Sequence, residues 1–445
     1  MTLKGRTIEN LARDLARGAA TSRALVEAAL ESIARDGSAF TLVAVERARA
    51  DADTSDRLRA SGVVPSRLAG IPVSVKDLFD VAGETTAAGS AILRGGPRAE
   101  RDAPAIARLR AAGAVILGRT HMSEFAFHGI GSNPHYPACA NPRDAARVPG
   151  GSSSGAAVSV ARGQAAMGLG TDTGGSTRVP AAFCGVVGYK PTQRRIPREG
   201  AFPLSETLDS VGPLANSVKC CAIADQVIAD QPTGLHPPLS VRGLRFGAPT
   251  DVVLDDMDDG VARAFERALR ALSDAGAHVE RMRVPDFARM DDIYAKGSIA
   301  NAEAFAYHSR SGLLRQREQY DPNVLARVER GSGMGAADYI TMLHERAAVI
   351  GNVDRVTAPY DALICPTAPV VAPRFDEVGE PKAFTRANTL ALRNALLVNF
   401  IDRCALSVPM QSEGELPSGL MIVGETMGDA RLFAIGEAVE NVLRR

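Results

Sequence analysis

The chain has 445 residues, 45% hydrophobic and 23% charged, a balance that allows a large buried core and excludes a mainly disordered protein. Its 51 Lys plus Arg offset 51 Asp plus Glu, so it lacks the basic excess that would concentrate a nucleic-acid backbone around it. No run of 18 or more apolar residues predicts a membrane span, and charges at Lys4, Arg6, Glu9, Arg13, Asp14 and Arg17 interrupt any signal-peptide core, so cytoplasm is the expected location.

Leu, Val and Ile recurring at three and four predict helices over 8–17 and 24–34, with Thr21 and Ser22 as candidate caps of the second. Residues 70–75 read as a short strand that delivers Lys76 and Asp77 at its end. A helix over 104–112, with Pro104 in its first turn, precedes a strand at 114–117. Between 141 and 200 the chain turns rich in Gly, Ser, Ala and Thr, with only Asp144, Asp172 and Glu199 as acids. Beyond it a strand is expected at 239–246, an amphipathic helix at 258–275 and a strand at 278–284. Residues 286–357 read as mainly helical, 362–364, 405–408 and 420–423 as strands, and 429–443 as a last helix. This alternation, without a repeat or low-complexity linker, predicts one continuous α/β domain over 1–445. Six cysteines, at 139, 184, 220, 221, 365 and 404, show no CxxC spacing and read as reduced thiols.

Two turns carry chemistry. Residues 150–155, Gly-Gly-Ser-Ser-Ser-Gly, combine free backbone amides with three hydroxyls and open an Ala-rich helix. A phosphate loop would need Lys and then Ser or Thr where Ala156 and Ala157 stand. The second turn, 170–178, places Ser176 directly after Gly174 and Gly175, where consecutive amides can converge on one small volume. Either turn alone could be a flexible loop.

A serine hydroxyl needs a base, usually histidine. None of the seven histidines, His121, His128, His135, His236, His278, His308 and His344, lies in either turn. The seven-residue spacing of the first three is not by itself a metal site. A Ser-His-Asp arrangement stays open, since such partners are distant in sequence. Lys76, after an apolar strand, is the better candidate. Its pKa would have to fall from about 10.4 to about 7, a difference of about 4 kcal/mol, which burial can supply. The competing reading pairs Lys76 with Asp77 or another carboxylate.

Taken together, GIPVSVKDLFDVAG (70–83), PGGSSSGAAVSVARG (149–163) and GLGTDTGGSTRVPAAFCGVVGYKPT (168–192) resemble the amidase signature family in order, wording and spacing. Similar text at 208–218, 361–369 and 405–425 extends the resemblance over nearly the whole chain. The resemblance implies a mixed central sheet with helices on both faces, a signature core of about 70–215, and an amidohydrolase that turns a small carboxamide into carboxylate and ammonia or amine through an acyl-serine. It implies Ser176 as nucleophile, Lys76 as final proton acceptor, and Ser152, after a cis peptide bond from Gly151, as the bridge between them. The amides of Thr173, Gly174, Gly175 and Ser176 would form the oxyanion hole. Asp172 and Arg178 would stabilise the loop, with a substrate carboxylate as the other role for Arg178. Phe125, Ala126, Phe127 and Ser153 are implied substrate neighbours, and Ser154 a non-catalytic hydroxyl bonded to Ser176 or the loop. Residues 286–357 would cover the pocket.

No metal or organic cofactor is called for, and the expected partner is a small-molecule amide, without nucleic acid or membrane and with a homodimer as the default assembly. One alternative is the glutamine-hydrolysing subunit of a tRNA-dependent amidotransferase, which would need small accessory subunits, although 189–213 stands closer to stand-alone amidases. Others are an inert homologue serving as a binding module, and a cysteine nucleophile at Cys365 or Cys184.

Overall fold

A computed structural model describes residues 2–229, 232, 234, 237 and 239–444, so His236 lies outside the described residues. The strands are β1 (Phe40–Val43), β2 (Pro72–Lys76), β3 (Val115–Thr120), β4 (Met167–Asp172), β5 (Val187–Lys190), β6 (Ser210–Ala215), β7 (Arg245–Pro249), β8 (His278–Met282), β9 (Ala362–Pro366), β10 (Ala405–Pro409) and β11 (Gly419–Val423). They join one mixed sheet in the order β1-β3-β2-β4-β6-β5-β10-β11-β9-β7-β8. Pairing is parallel for β3-β2-β4 and for β9-β7-β8, and antiparallel through the centre and at β1. No helix among the described residues is long and apolar enough to cross a membrane.

The period of two along a strand sends neighbouring side chains to opposite faces. On β10, Leu406 packs toward Gly436 of the helix Asp429–Leu443, while Ser407 bonds Thr367 at 2.7 Å on the face lined by Ala182 of the helix Arg178–Cys184. Helices therefore cover both faces, and the apolar strand residues fall into a continuous buried core.

Most expected elements form close to their predicted limits. The helices Ile8–Ala16, Ser22–Arg35, Pro104–Ala111, Asp259–Asp274 and Asp429–Leu443 lie within two residues of them. Thr21 caps the second helix by accepting from the Ala24 amide; Ser22 instead turns inward and donates to the Gly70 carbonyl at 2.9 Å. The strand expected at 239–246 begins only at Arg245, because a turn with Gly243 at φ +81° precedes it. Sequence reading misses β1, β4, β5 and β6, which are short or carry Gly168, Gly170, Gly188, Gly212 and Pro213, and the charged helix Val45–Ala60; residues 170–172, expected in a turn, end β4.

The small-residue stretch before Asp172 has a packing reason. A side chain at Gly168 would stand 2.9 Å from both Cβ and carbonyl oxygen of Ala156, so glycine lets the helix Ser154–Ala161 lie directly on β4. Gly168→Ala is expected to destabilise the fold by about 1–3 kcal/mol through overpacking against backbone, read as a lower urea midpoint with unchanged slope.

Candidate active site

The site starts from strand alternation. Ser74 and Lys76 share one face of β2, and Ser74 bonds Ser159 of the overlying helix at 2.9 Å. The turn that opens this helix carries Ser152, which follows a cis Gly151–Ser152 peptide bond. Fully buried, Lys76 directs Nζ to Ser152 Oγ at 2.7 Å and Thr171 Oγ1 at 2.8 Å. Asp77 points the other way and binds Arg119 at 3.2 Å, so the Lys76–Asp77 pair does not form. Burial pulls the Lys76 pKa down to about 7, with Asp209 and Asp172 opposing the fall.

Asp172, at the end of β4, organises the second turn. Its carboxylate accepts from the amides of Gly175 (2.8 Å) and Thr177 (3.1 Å), the Thr177 hydroxyl (2.9 Å) and Asn399 Nδ2 (2.9 Å). Arg178 closes the arrangement, Nε and Nη2 reaching the two oxygens at 3.0 and 2.9 Å. Burial alone would raise the Asp172 pKa, but the Arg178 charge and hydrogen bonds, with Lys190 and Asn399, hold it well below the usual carboxylate range.

This geometry corrects four expectations. Arg178 cannot meet a substrate carboxylate, because it is wholly buried and its donors go to Asp172, Asn399, Ala395 and Met421. Gly175 directs its amide at Asp172, leaving Thr173, Gly174 and Ser176 as the loop amides without a hydrogen bond among the described residues. Gly175 itself sits at φ +123°, where a Cβ would fall 2.6 Å from Ala395 Cβ. Ser153 is no substrate neighbour, since its buried hydroxyl donates to the Thr171 carbonyl at 3.2 Å and accepts from the Thr171 amide at 3.3 Å. The Ser153 amide donates to the Ser176 carbonyl at 3.1 Å, which ties the two turns together. Ser154 bonds His121, not Ser176.

A cleft of about 780 Å³ opens beside these turns, with Thr171 and Thr173 in its wall. Ala126 also lines it, whereas Phe125 lies buried behind, its ring 5.0 Å from that of the wall residue Phe202; Phe127 is buried and outside the lining. Residues 286–357 are mainly helical as expected and supply none of the lining of this cleft. They reach the cleft through Tyr307 and His308, packed on Phe202, and through Glu303, bonded to Thr207. Thr171 and Asp209 are site residues that sequence reading missed as such, although both lie inside the motif text.

The evenly spaced histidines part company, His121 going to Ser154, His128 to Ser123 and His135 to Glu124, and no metal-binding group of His, Cys, Asp and Glu occurs among the described residues. All six cysteines are buried and unpaired; burial pushes the Cys365 thiol up to about 12 and Cys184 well above its usual value, unlike a thiolate nucleophile.

A buried lysine held by a serine hydroxyl lies on a mixed α/β sheet beside an open cleft, and similarity to known proteins places the chain in the class of amide-hydrolysing enzymes. The chain belongs to the Amidase family, the amidase signature enzymes, whose family model matches residues 24–433. It is 38% identical over 407 residues to a 2-amino-5-chloromuconic acid deaminase of Comamonas testosteroni, covering 89% of this chain and 87% of the relative. It is 36% identical over 471 residues to a glutamyl-tRNA(Gln) amidotransferase subunit of Anaeromyxobacter dehalogenans (strain 2CP-C), covering 96% and 94%. A crystal structure of an amidase superposes with a TM-score of 0.89 at 32% identity, covering 98% and 99%. The protein is an amidohydrolase.

Arg178→Ala leaves the Asp172 charge buried without its partner. The expected loss is about 3–5 kcal/mol of stability, measured by urea unfolding at neutral pH.

Proposed function

We propose that Ser176, Ser152 and Lys76 form the catalytic triad of this amidohydrolase, acting on a small carboxamide. The observation that carries the reading is the 2.7 Å hydrogen bond from the buried Lys76 ammonium position to Ser152 Oγ, with no carboxylate salt-bridged to Lys76 among the described residues. A lysine so placed releases its proton near neutral pH and becomes a base.

Neutral Lys76 takes the Ser152 proton while Ser152 takes that of Ser176, whose oxygen attacks the amide carbon. The carbonyl oxygen gains the negative charge and is met by the amides of Thr173, Gly174 and Ser176. Ser152 then returns a proton, replenished from Lys76, to the departing nitrogen. Water, deprotonated through the same relay, cleaves the acyl-serine and releases the acid. Asp172 and Arg178 hold the loop that carries Ser176 and contribute no proton.

A second reading, the glutamine-hydrolysing subunit of a tRNA-dependent amidotransferase, draws support from the 36% identity over 471 residues to such an enzyme's subunit. Assaying the purified chain alone on acetamide, malonamate, aryl acetamides and ureides separates the two. Turnover without partners supports the stand-alone enzyme; ammonia release from glutamine only with accessory subunits and tRNA supports the other.

Ser176→Ala is expected to abolish turnover, and Lys76→Ala and Ser152→Ala to lower kcat by at least about a thousandfold in folded protein; near-normal kcat in any of the three overturns its role. The free base of Lys76 is the active form and its pKa in the fold is about 7. kcat/KM should therefore rise about tenfold per pH unit below that value and level off above it, and a flat profile would contradict the lysine base.

A further inference from the structure

Asp209 lines the cleft just before β6, and the steps above do not use it. Its carboxylate is shared between two elements. Oδ1 accepts from the Thr173 hydroxyl at 2.6 Å, whereas Oδ2 accepts from the amides of Leu204 and Ser205 at 2.9 and 3.0 Å. That turn is anchored in its own right by Glu303, which accepts from the Ser205 hydroxyl, the Thr207 amide at 3.1 Å and the Tyr339 hydroxyl at 2.6 Å. The following residue, Ser210, donates to the Asp172 carbonyl at 2.9 Å. Thr173 is thus gripped from outside the loop, while Asp172 grips Gly175 and Thr177 from within it.

Resting on the triad reading above, we infer that Asp209 is a positioning residue for amide hydrolysis: by holding the Thr173 hydroxyl it aims the Thr173 amide, one of the three loop amides without a hydrogen bond among the described residues, into the cleft. A donor displaced from the developing oxyanion loses much of its stabilising effect. The carboxylate also acts at a distance. Its charge, with that of Asp172, favours the Lys76 ammonium, and Arg198 is the cation that faces Asp209 from the cleft wall. Burial raises the Asp209 pKa to about 6, so it is ionised in the range where Lys76 gives up its proton.

The test measures the rate at which a fluorophosphonate labels Ser176 in the purified full-length chain across the acid-to-alkaline range, so no substrate need be known. Asp209→Asn is expected to slow labelling about tenfold to a hundredfold on the alkaline plateau, because the first donor is mis-aimed. Its acid limb should move to lower pH by about half a unit, since Lys76 loses a stabilising negative charge. Thr173→Val should slow labelling comparably, and Thr173→Ser, which restores the hydroxyl, should recover most of that rate. The double variant should be no more than about threefold slower than the slower single one, as for two halves of one interaction.

Labelling of Asp209→Asn within about threefold of wild type, with an unmoved limb, overturns the inference when wild type labels and Lys76→Ala does not. A wild-type chain that resists labelling, or equal labelling of Ser176→Ala, overturns the triad reading instead. Should Asp209→Asn not fold, the Thr173 variants decide alone: equal rates for Val and Ser overturn the inference, and recovery by Ser supports it.

Discussion

The site depends on a cation taken out of water and given hydroxyls in place of a carboxylate. Lys76 is wholly buried, and among the described residues its ammonium position meets only Ser152 and Thr171 at hydrogen-bond distance. Hydroxyls solvate a charge less well than water and do not neutralise it, so burial wins and the pKa falls to about 7. The neighbouring acid could have cancelled the effect. It does not, because alternation along β2 sends Asp77 to Arg119 on the other side of the sheet.

A few residues away the opposite solution is used. Asp172 and Arg178 are as deeply buried as Lys76, yet they face each other through two hydrogen bonds and share Asn399. Each charge there is matched, and the pair is committed to holding the turn before Ser176. That structural pair is matched, while the charge proposed to do chemistry has no salt-bridged carboxylate among the described residues. The 780 Å³ cleft meets this arrangement at Thr171 and Thr173, one bonded to Lys76 and the other to Asp209.

The candidate site was legible because its motifs constrain backbone as well as side chains. The two Gly/Ser turns and Lys76 emerged as candidates from residue type and position, and their roles from a family resemblance. The structure brings Lys76 to Ser152 and ties Ser153 to Ser176. Less was visible where tertiary packing overrides local signal. Strands β5 and β6 carry glycine and proline that argue against strand, and they are held by neighbours on both sides. Arg178 and Ser153 looked available to a ligand because nothing local reveals that Asn399 and Thr171 consume their hydrogen bonds. Phe125 stands one residue from the lining residue Ala126, yet its ring is turned into the core against Phe202 and His308.

By itself the sequence determined the α/β character, the limits of the strongly periodic helices, and the positions of the lysine and the two serine turns, because those features rest on spacing and on residues with few backbone options. Tertiary structure alone decided which charged and polar groups face one another. Asp77 and Lys76 are adjacent in the chain and bind apart, while Asp209 and Thr173 are remote and bind together. The physical reason is that electrostatic and hydrogen-bond partners are chosen by direction and burial, and both are set by sheet order, which short-range pattern does not encode.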